Sequence, residues 1–173
     1  MTPFPISAEA IAARVEAMAG EIAADHPEGE ELLLIAILLG GLPFAADLGR
    51  ALFRAGIDAR LETIRLSSYG HERRSSGAVD LVQDLALDPA GRRILLADDV
   101  LDSGGSLAFA RAHLLSRGAA SVRAAVLADK QTAPDGAGAD HVGFVCDRDA
   151  FLVGYGMDDE GRERFRPDIR AVD

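Results

Sequence analysis

Residues Leu32 to Leu39 form an unbroken apolar run that stops at Gly40-Gly41, and a second run, Ile94 to Ala97, stops at Asp98-Asp99. Each run is too short for a core helix and has no polar face. Each therefore reads as a β-strand covered on both sides, the situation of a parallel sheet between helices. Helical patterns fall between such strands. Ser7 caps a stretch with Ile11, Val15, Met18 and Ile22 on one face. Pro43 to Ala55 reads as a second helix, with Gly56 just beyond its end, and Ser106 to Arg117 as a third, stopped by Gly118. Further strands are expected at Ala59–Ser67, Val122–Ala128, His141–Cys146 and Phe151–Tyr155. The segment from Ser68 to Pro89 and the tail beyond Met157 read as irregular. Alternating strands and helices over 173 residues, without a linker or repeat, predict one α/β domain spanning 1–173 with a mostly parallel twisted sheet flanked by helices.

Charge and cysteine content narrow the partners. Lys plus Arg number 18 and Asp plus Glu 28, for a net charge of −10. A chain this acidic is unsuited to nonspecific binding of nucleic acid or anionic membranes, so any phosphate must be held by local devices. The single cysteine, Cys146, rules out an internal disulfide and a thiolate metal cage, and the four histidines have no metal-ligand spacing. No basic-then-apolar leader opens the sequence and no run is long enough to span a bilayer, which predicts a soluble, cytoplasmic protein.

The chemistry concentrates where the Ile94 strand ends, in Asp98-Asp99-Val100-Leu101-Asp102-Ser103-Gly104-Gly105-Ser106. The Ser103–Ser106 stretch lies at a helix N-terminus, where free N–H groups, a close glycine backbone and serine hydroxyls make an anion site. It is neither a Walker loop nor a dinucleotide fingerprint. Carboxylates repel phosphate, so the acids must face something else. A pair such as Asp98-Asp99 suits a vicinal diol, as in ribose, or a magnesium ion held by a diphosphate. Asp102, between the pair and the anion site, is placed to act as a general base.

This stretch resembles the phosphoribosyl-diphosphate (PRPP) motif of type I phosphoribosyltransferases. From about Leu34 to Phe165 the chain is similar to their hypoxanthine-guanine branch. Leu39-Gly40-Gly41 with Phe44 to Leu48 matches the first loop, Ser68-Tyr69 the opening of a flexible lid at about 68–89, and Asp129-Lys130 the lysine after the next strand. Val142-Gly143-Phe144 and Phe151 to Asp158 match the purine segment.

The resemblance implies a fold with a small hood formed by the terminal segments. It implies Mg2+ as cofactor, PRPP and a 6-oxopurine base as substrates, and a homodimer or homotetramer. Ser103, Gly104, Gly105 and Ser106 would hold the 5-phosphate, and Leu39 and Gly40 the diphosphate. Asp98 and Asp99 would take the ribose hydroxyls and, with Asp158, help hold the metal. Asp102 would accept the purine N7 proton. Phe151 would stack on the base, Lys130 would donate to its 6-oxo group, and Leu152 and Asp158 would meet its other edge. Arg166 would reach the diphosphate.

Leu39 and Gly105 stand where the family often has basic residues, and Arg65, Arg73 and Arg74 are candidates to compensate. Two other readings of the same residues are a non-catalytic nucleotide- or PRPP-binding regulator on this fold and, more remotely, a phospho-accepting receiver domain.

Overall fold

The computed structural model describes residues 1–68 and 79–172, and for Ser68 its backbone alone. Tyr69 and the rest of 69–78, expected in the lid, lie outside the described residues. The elements run α1 (Ala8–Asp25), β1 (Leu32–Leu38), α2 (Gly41–Arg54), β2 (Arg60–Ser68), β3 (Val79–Gln83), β4 (Arg93–Leu101), α3 (Gly105–Ser116), β5 (Ser121–Asp129), β6 (His141–Val145), β7 (Phe151–Val153) and β8 (Arg170–Val172). Six strands form one sheet in the order β3-β2-β1-β4-β5-β6. All its pairings are parallel except β2 with β3.

The two-sided burial expected of β1 is what the packing contains. Leu32, Leu34 and Ala36 face a core built with Ile11, Val15 and Met18 of α1 and Phe44, Leu48 and Leu52 of α2. Leu33, Ile35 and Ile37 point the other way, into a core built with Leu107, Ala110 and Leu114 of α3. Strand side chains alternate between faces, so a strand between two helical layers has to be apolar at every position. The same alternation divides Leu95 and Ala97 of β4 from Ile94 and Leu96.

Three expectations change. First, β4 does not end at Ala97: it runs through Asp98 and Asp99 to Leu101, because β5 continues to pair with it at Asp98↔Val126, Val100↔Ala128 and Leu101↔Asp129. The acids are thus part of a sheet strand. Second, residues 79–83 form β3 inside the segment read as irregular. The stretch is short and mostly exposed, but Leu81 pairs with Leu66 and both pack on the α3-side core. Third, the tail is not wholly irregular. β8 pairs antiparallel with β7, and Ile169 is buried and bridges to Ile6. This small second sheet with the N-terminal bridge is the expected hood. Its signal was hidden because all three β8 residues are exposed.

No helix among the described residues is long and apolar enough to cross a membrane. The carboxyl ends of β1, β4 and β5 leave the sheet along one edge, where ligands of open α/β sheets bind.

Candidate active site

The loop after β1 lies directly against the acid pair. A Cβ placed on Gly40 would come within 1.8 Å of Asp99 Oδ2, and one on Gly41 within 2.5 Å of the Ala97 carbonyl. Only glycine permits α2 to begin so close to β4. Leu39, joined to Leu38 by a cis peptide bond, is half exposed beside it.

Asp98 is buried and Asp99 half-buried. Each uses one carboxylate oxygen locally: Asp98 Oδ1 accepts the Asp99 N–H at 3.0 Å and Asp99 Oδ1 the Val100 N–H at 2.8 Å. Burial, then the charge of Asp99, pushes the Asp98 carboxyl well above the usual carboxylate range. Asp99 is also raised by burial, against the opposing pull of its hydrogen bonds and of Arg164.

The Ser103–Ser106 stretch opens α3, as read from the sequence. Gly104 takes a left-handed φ of +77°, against Ala133 and Ala137, and α3 starts at Gly105. The side chain of Ser103 turns back toward the Gly105 N–H at 3.5 Å.

Asp102 is exposed at the mouth of this loop, with partners from the segment after β5. Lys130 Nζ is 3.5 Å from Asp102 Oδ2, and the Thr132 hydroxyl lies 2.9 Å from Asp102 Oδ1 and 2.8 Å from the Asp102 carbonyl oxygen. The Lys130 side chain is only 12% exposed, so its ammonium is held near this edge rather than free in solvent.

The hood closes the other side. Gly156 has φ +107°, and a Cβ there would stand 2.0 Å from the Gly40 carbonyl oxygen. Asp158 Oδ2 accepts the Gly161 N–H at 2.7 Å, and Asp158 Oδ1 is 2.6 Å from Arg164 Nη2, while Arg164 also donates to the Gly156 carbonyl. Phe151 is half-buried at the start of β7, and Leu152 is buried in the α1/α2-side core. Tyr155 donates its hydroxyl to Asp47 of α2.

The structure therefore brings together Gly40, Asp98 and Asp99 in one group, and Asp102, the Ser103–Ser106 loop and Lys130 in another, along a single edge. It does not bring Arg166 free to that edge: Arg166 is paired with Glu163 at 3.0 Å and Asp168 at 3.2 Å. Arg164 takes the place beside Asp158 and Asp99. Residue-by-residue reading missed Arg164 and Thr132. Arg164 lay in a charged tail with no periodicity, and Thr132 is 30 residues from its partner. The one local signal for Thr132 is Asp129, whose side chain caps the Gln131 N–H at 2.7 Å and turns the chain back.

Among the described residues no three Asp, Glu, His or Cys side chains converge as a protein-only metal cage. The carboxylate oxygens of the neighbouring Asp98 and Asp99 nevertheless suit a hard cation. A magnesium ion commonly takes only one or two carboxylates and completes its shell with water and substrate phosphates. Two crowded carboxyls whose burial favours the proton are a place where a cation would be welcome.

Comparison with known proteins matches residues 6–160 to the family model of the phosphoribosyl transferase domain. The hypoxanthine-guanine phosphoribosyltransferase of Mycobacterium tuberculosis is 38% identical, over 97% of this chain and 84% of the relative. The protein of that name from Bacillus subtilis is 37% identical, over 96% and 91%. A crystal structure of a hypoxanthine-guanine phosphoribosyltransferase from Bacillus anthracis superposes with a TM-score of 0.88 at 33% identity, covering 100% of this chain and 99% of that one.

Proposed function

The chain belongs to the phosphoribosyl transferase family, in its hypoxanthine-guanine branch, and from that premise we propose that it is a purine-salvage enzyme. It transfers the 5-phosphoribosyl group of PRPP to hypoxanthine or guanine, giving IMP or GMP and diphosphate. The observation that carries this reading is the carboxylate of Asp102, held at the strand edge between Lys130 and Thr132 and next to the N-terminus of α3.

In this reading the backbone amides and hydroxyls of Ser103 to Ser106 hold the 5-phosphate, helped by the helix N-terminus. Asp98 and Asp99 accept hydrogen bonds from the ribose hydroxyls. The backbone of Leu39 and Gly40 faces the diphosphate. Lys130 donates to the 6-oxo oxygen, and since an ammonium only donates, it discriminates against the 6-amino group of adenine. Phe151 stacks on the base, and backbone groups near Leu152 and Asp158 meet its far edge. Asp102 accepts the proton from purine N7 as the glycosidic bond forms at C1 of the sugar. Ser68 and Tyr69 begin the lid that excludes water, which would otherwise hydrolyse PRPP. Asp98, Asp99 and Asp158 would hold Mg2+, which when bound neutralises charge on the leaving diphosphate. Arg166 can reach diphosphate only by leaving Glu163 and Asp168, and Arg164 stands nearer the acids.

No finding favours the regulator reading. A receiver domain does not carry this hood or this family match. Work in the cytoplasm and assembly as a homodimer or homotetramer belong to the same proposal. A groove of about 380 Å³ between α2 and β2, with Phe53 and Leu61 exposed beside it, leaves apolar surface available for a subunit contact, which light scattering would detect.

The test is Asp102→Asn, which keeps the shape and removes the base. Turnover is expected to fall by about 100-fold or more, with PRPP binding retained by calorimetry. Full turnover in this variant would contradict the role given to Asp102.

A further inference from the structure

We propose that Thr132 is a positioning residue for Asp102, its hydroxyl serving the Asp102 carboxyl in both protonation states. The proposal rests on the reading of Asp102 as the base for purine N7. The observation is that Thr132 Oγ1 sits between two oxygens of the same residue, the carbonyl at 2.8 Å and Oδ1 at 2.9 Å.

A hydroxyl has one hydrogen and two acceptor lone pairs, so it donates fully to only one of these oxygens at a time. While Asp102 is ionised, the Thr132 O–H points at Oδ1. When the N7–H bond breaks, its electron pair stays on N7 and the proton becomes an O–H on the Asp102 carboxyl. With that hydrogen on Oδ1, Thr132 turns about its Cβ–Oγ bond, donates to the Asp102 carbonyl and accepts from the carboxyl. No heavy atom moves and Thr132 neither gains nor loses a proton. The other oxygen, Oδ2, accepts from the Lys130 ammonium in either form, but an ammonium has no lone pair to receive a new O–H. Thr132 is thus the partner able to serve Oδ1 in both the reactant and the product form of the base, which limits reorganisation during transfer.

The backbone is built to hold this arrangement. The Lys130 N–H donates to the Leu101 carbonyl at 3.0 Å, extending the contact between β4 and β5 by one residue. Gln131 then adopts φ 54°, with its N–H on the Asp129 carboxylate, and this turn sets Thr132 over Asp102.

The test compares Thr132→Val, which keeps the branched shape without the hydroxyl, with Thr132→Ser, which keeps the hydroxyl without the methyl. The readouts are the single-turnover rate of nucleotide formation from PRPP, Mg2+ and hypoxanthine, the KM values, and the melting temperature. Thr132→Val is expected to slow the chemical step about tenfold while leaving the KM for PRPP within about twofold, and Thr132→Ser to recover most of the rate. Thr132→Ala gives the same comparison should valine disturb the fold.

Placed on an Asp102→Asn background, Thr132→Val is expected to add little further loss, since it acts through Asp102. An unchanged rate in Thr132→Val, or equal losses in the valine and serine variants, overturns the proposal. If Asp102→Asn itself keeps full turnover, the base reading fails and the proposal with it. If Asp102→Asn is inactive and Thr132→Val is not, the assignment of Thr132 alone is wrong.

Discussion

At Asp98, folding and the binding proposed for it pull in opposite directions. The residue is 7% exposed, and burial followed by the charge of Asp99 raises the proton affinity of its carboxyl well above that of an open carboxylate. The folded chain therefore holds this proton more tightly than the unfolded chain, whose carboxyls titrate near pH ~4. Its contribution to stability is greatest below that value and declines as pH rises toward the raised native one. Asp98→Asn keeps an oxygen able to accept the Asp99 N–H and removes the decline. The variant is expected to melt about 2–4 °C higher at pH 8, to show a flatter melting profile as pH rises above ~4, and to bind PRPP more weakly. A lower melting temperature at pH 8 would contradict the cost assigned to ionising this buried carboxyl. The acids were legible in the sequence because three of them follow an apolar strand and precede Ser-Gly-Gly-Ser, a local pattern with few structural explanations. Thr132 and Arg164 were not, because what gives them meaning is a partner brought near only by the sheet or the hood.

Among elements, the hood packs Leu152, Met157 and Ile169 into the α1/α2-side core and meets the start of α2 at two neighbouring points. Gly156 packs its backbone on Gly40, and Tyr155 donates its hydroxyl to Asp47, which also pairs with Arg50 at 2.7 Å. Burial, then the bond to Asp47, pushes the Tyr155 phenol far above its ordinary range, so it stays a donor throughout the working pH range. Tyr155→Phe is expected to cost about 1 kcal/mol, seen as a fall of about 2–4 °C in melting temperature, and to raise the KM for the purine more than that for PRPP. An unchanged melting temperature and purine KM would show that this bond does not hold the hood. Strands buried on both faces, β1, β4 and β5, could be read from the sequence because each carries an unbroken apolar run: Leu32–Leu38, Ile94–Ala97 and Ala124–Ala128. β3 and β8 could not: they are short and mostly exposed, and they exist through pairing with β2 and β7. The end of β4 was misjudged for a related reason, since the polarity of Asp98 and Asp99 marks a strand end in sequence while β5 keeps pairing alongside.

Across the whole molecule, the order β3-β2-β1-β4-β5-β6 sends the β1, β4 and β5 loops to one edge, and the bridge between Ile6 and Ile169 brings both terminal segments together in the hood. The class of fold followed from strand–helix alternation. The closure of the hood depends on residues more than 160 positions apart, which no local pattern records. In a chain of net charge −10 a bound phosphate must be met by local groups; the α3 N-terminus opens at the edge where the acids gather, and Lys130 and Arg164 are cations placed beside those acids. The most direct measurement is chromatographic detection of nucleotides formed by the purified protein from PRPP and Mg2+ with a mixture of hypoxanthine, guanine, xanthine, adenine and uracil. IMP or GMP, with no AMP or UMP, is the predicted result. A folded protein that binds PRPP yet forms no purine nucleotide, or one that forms AMP in preference, would contradict it.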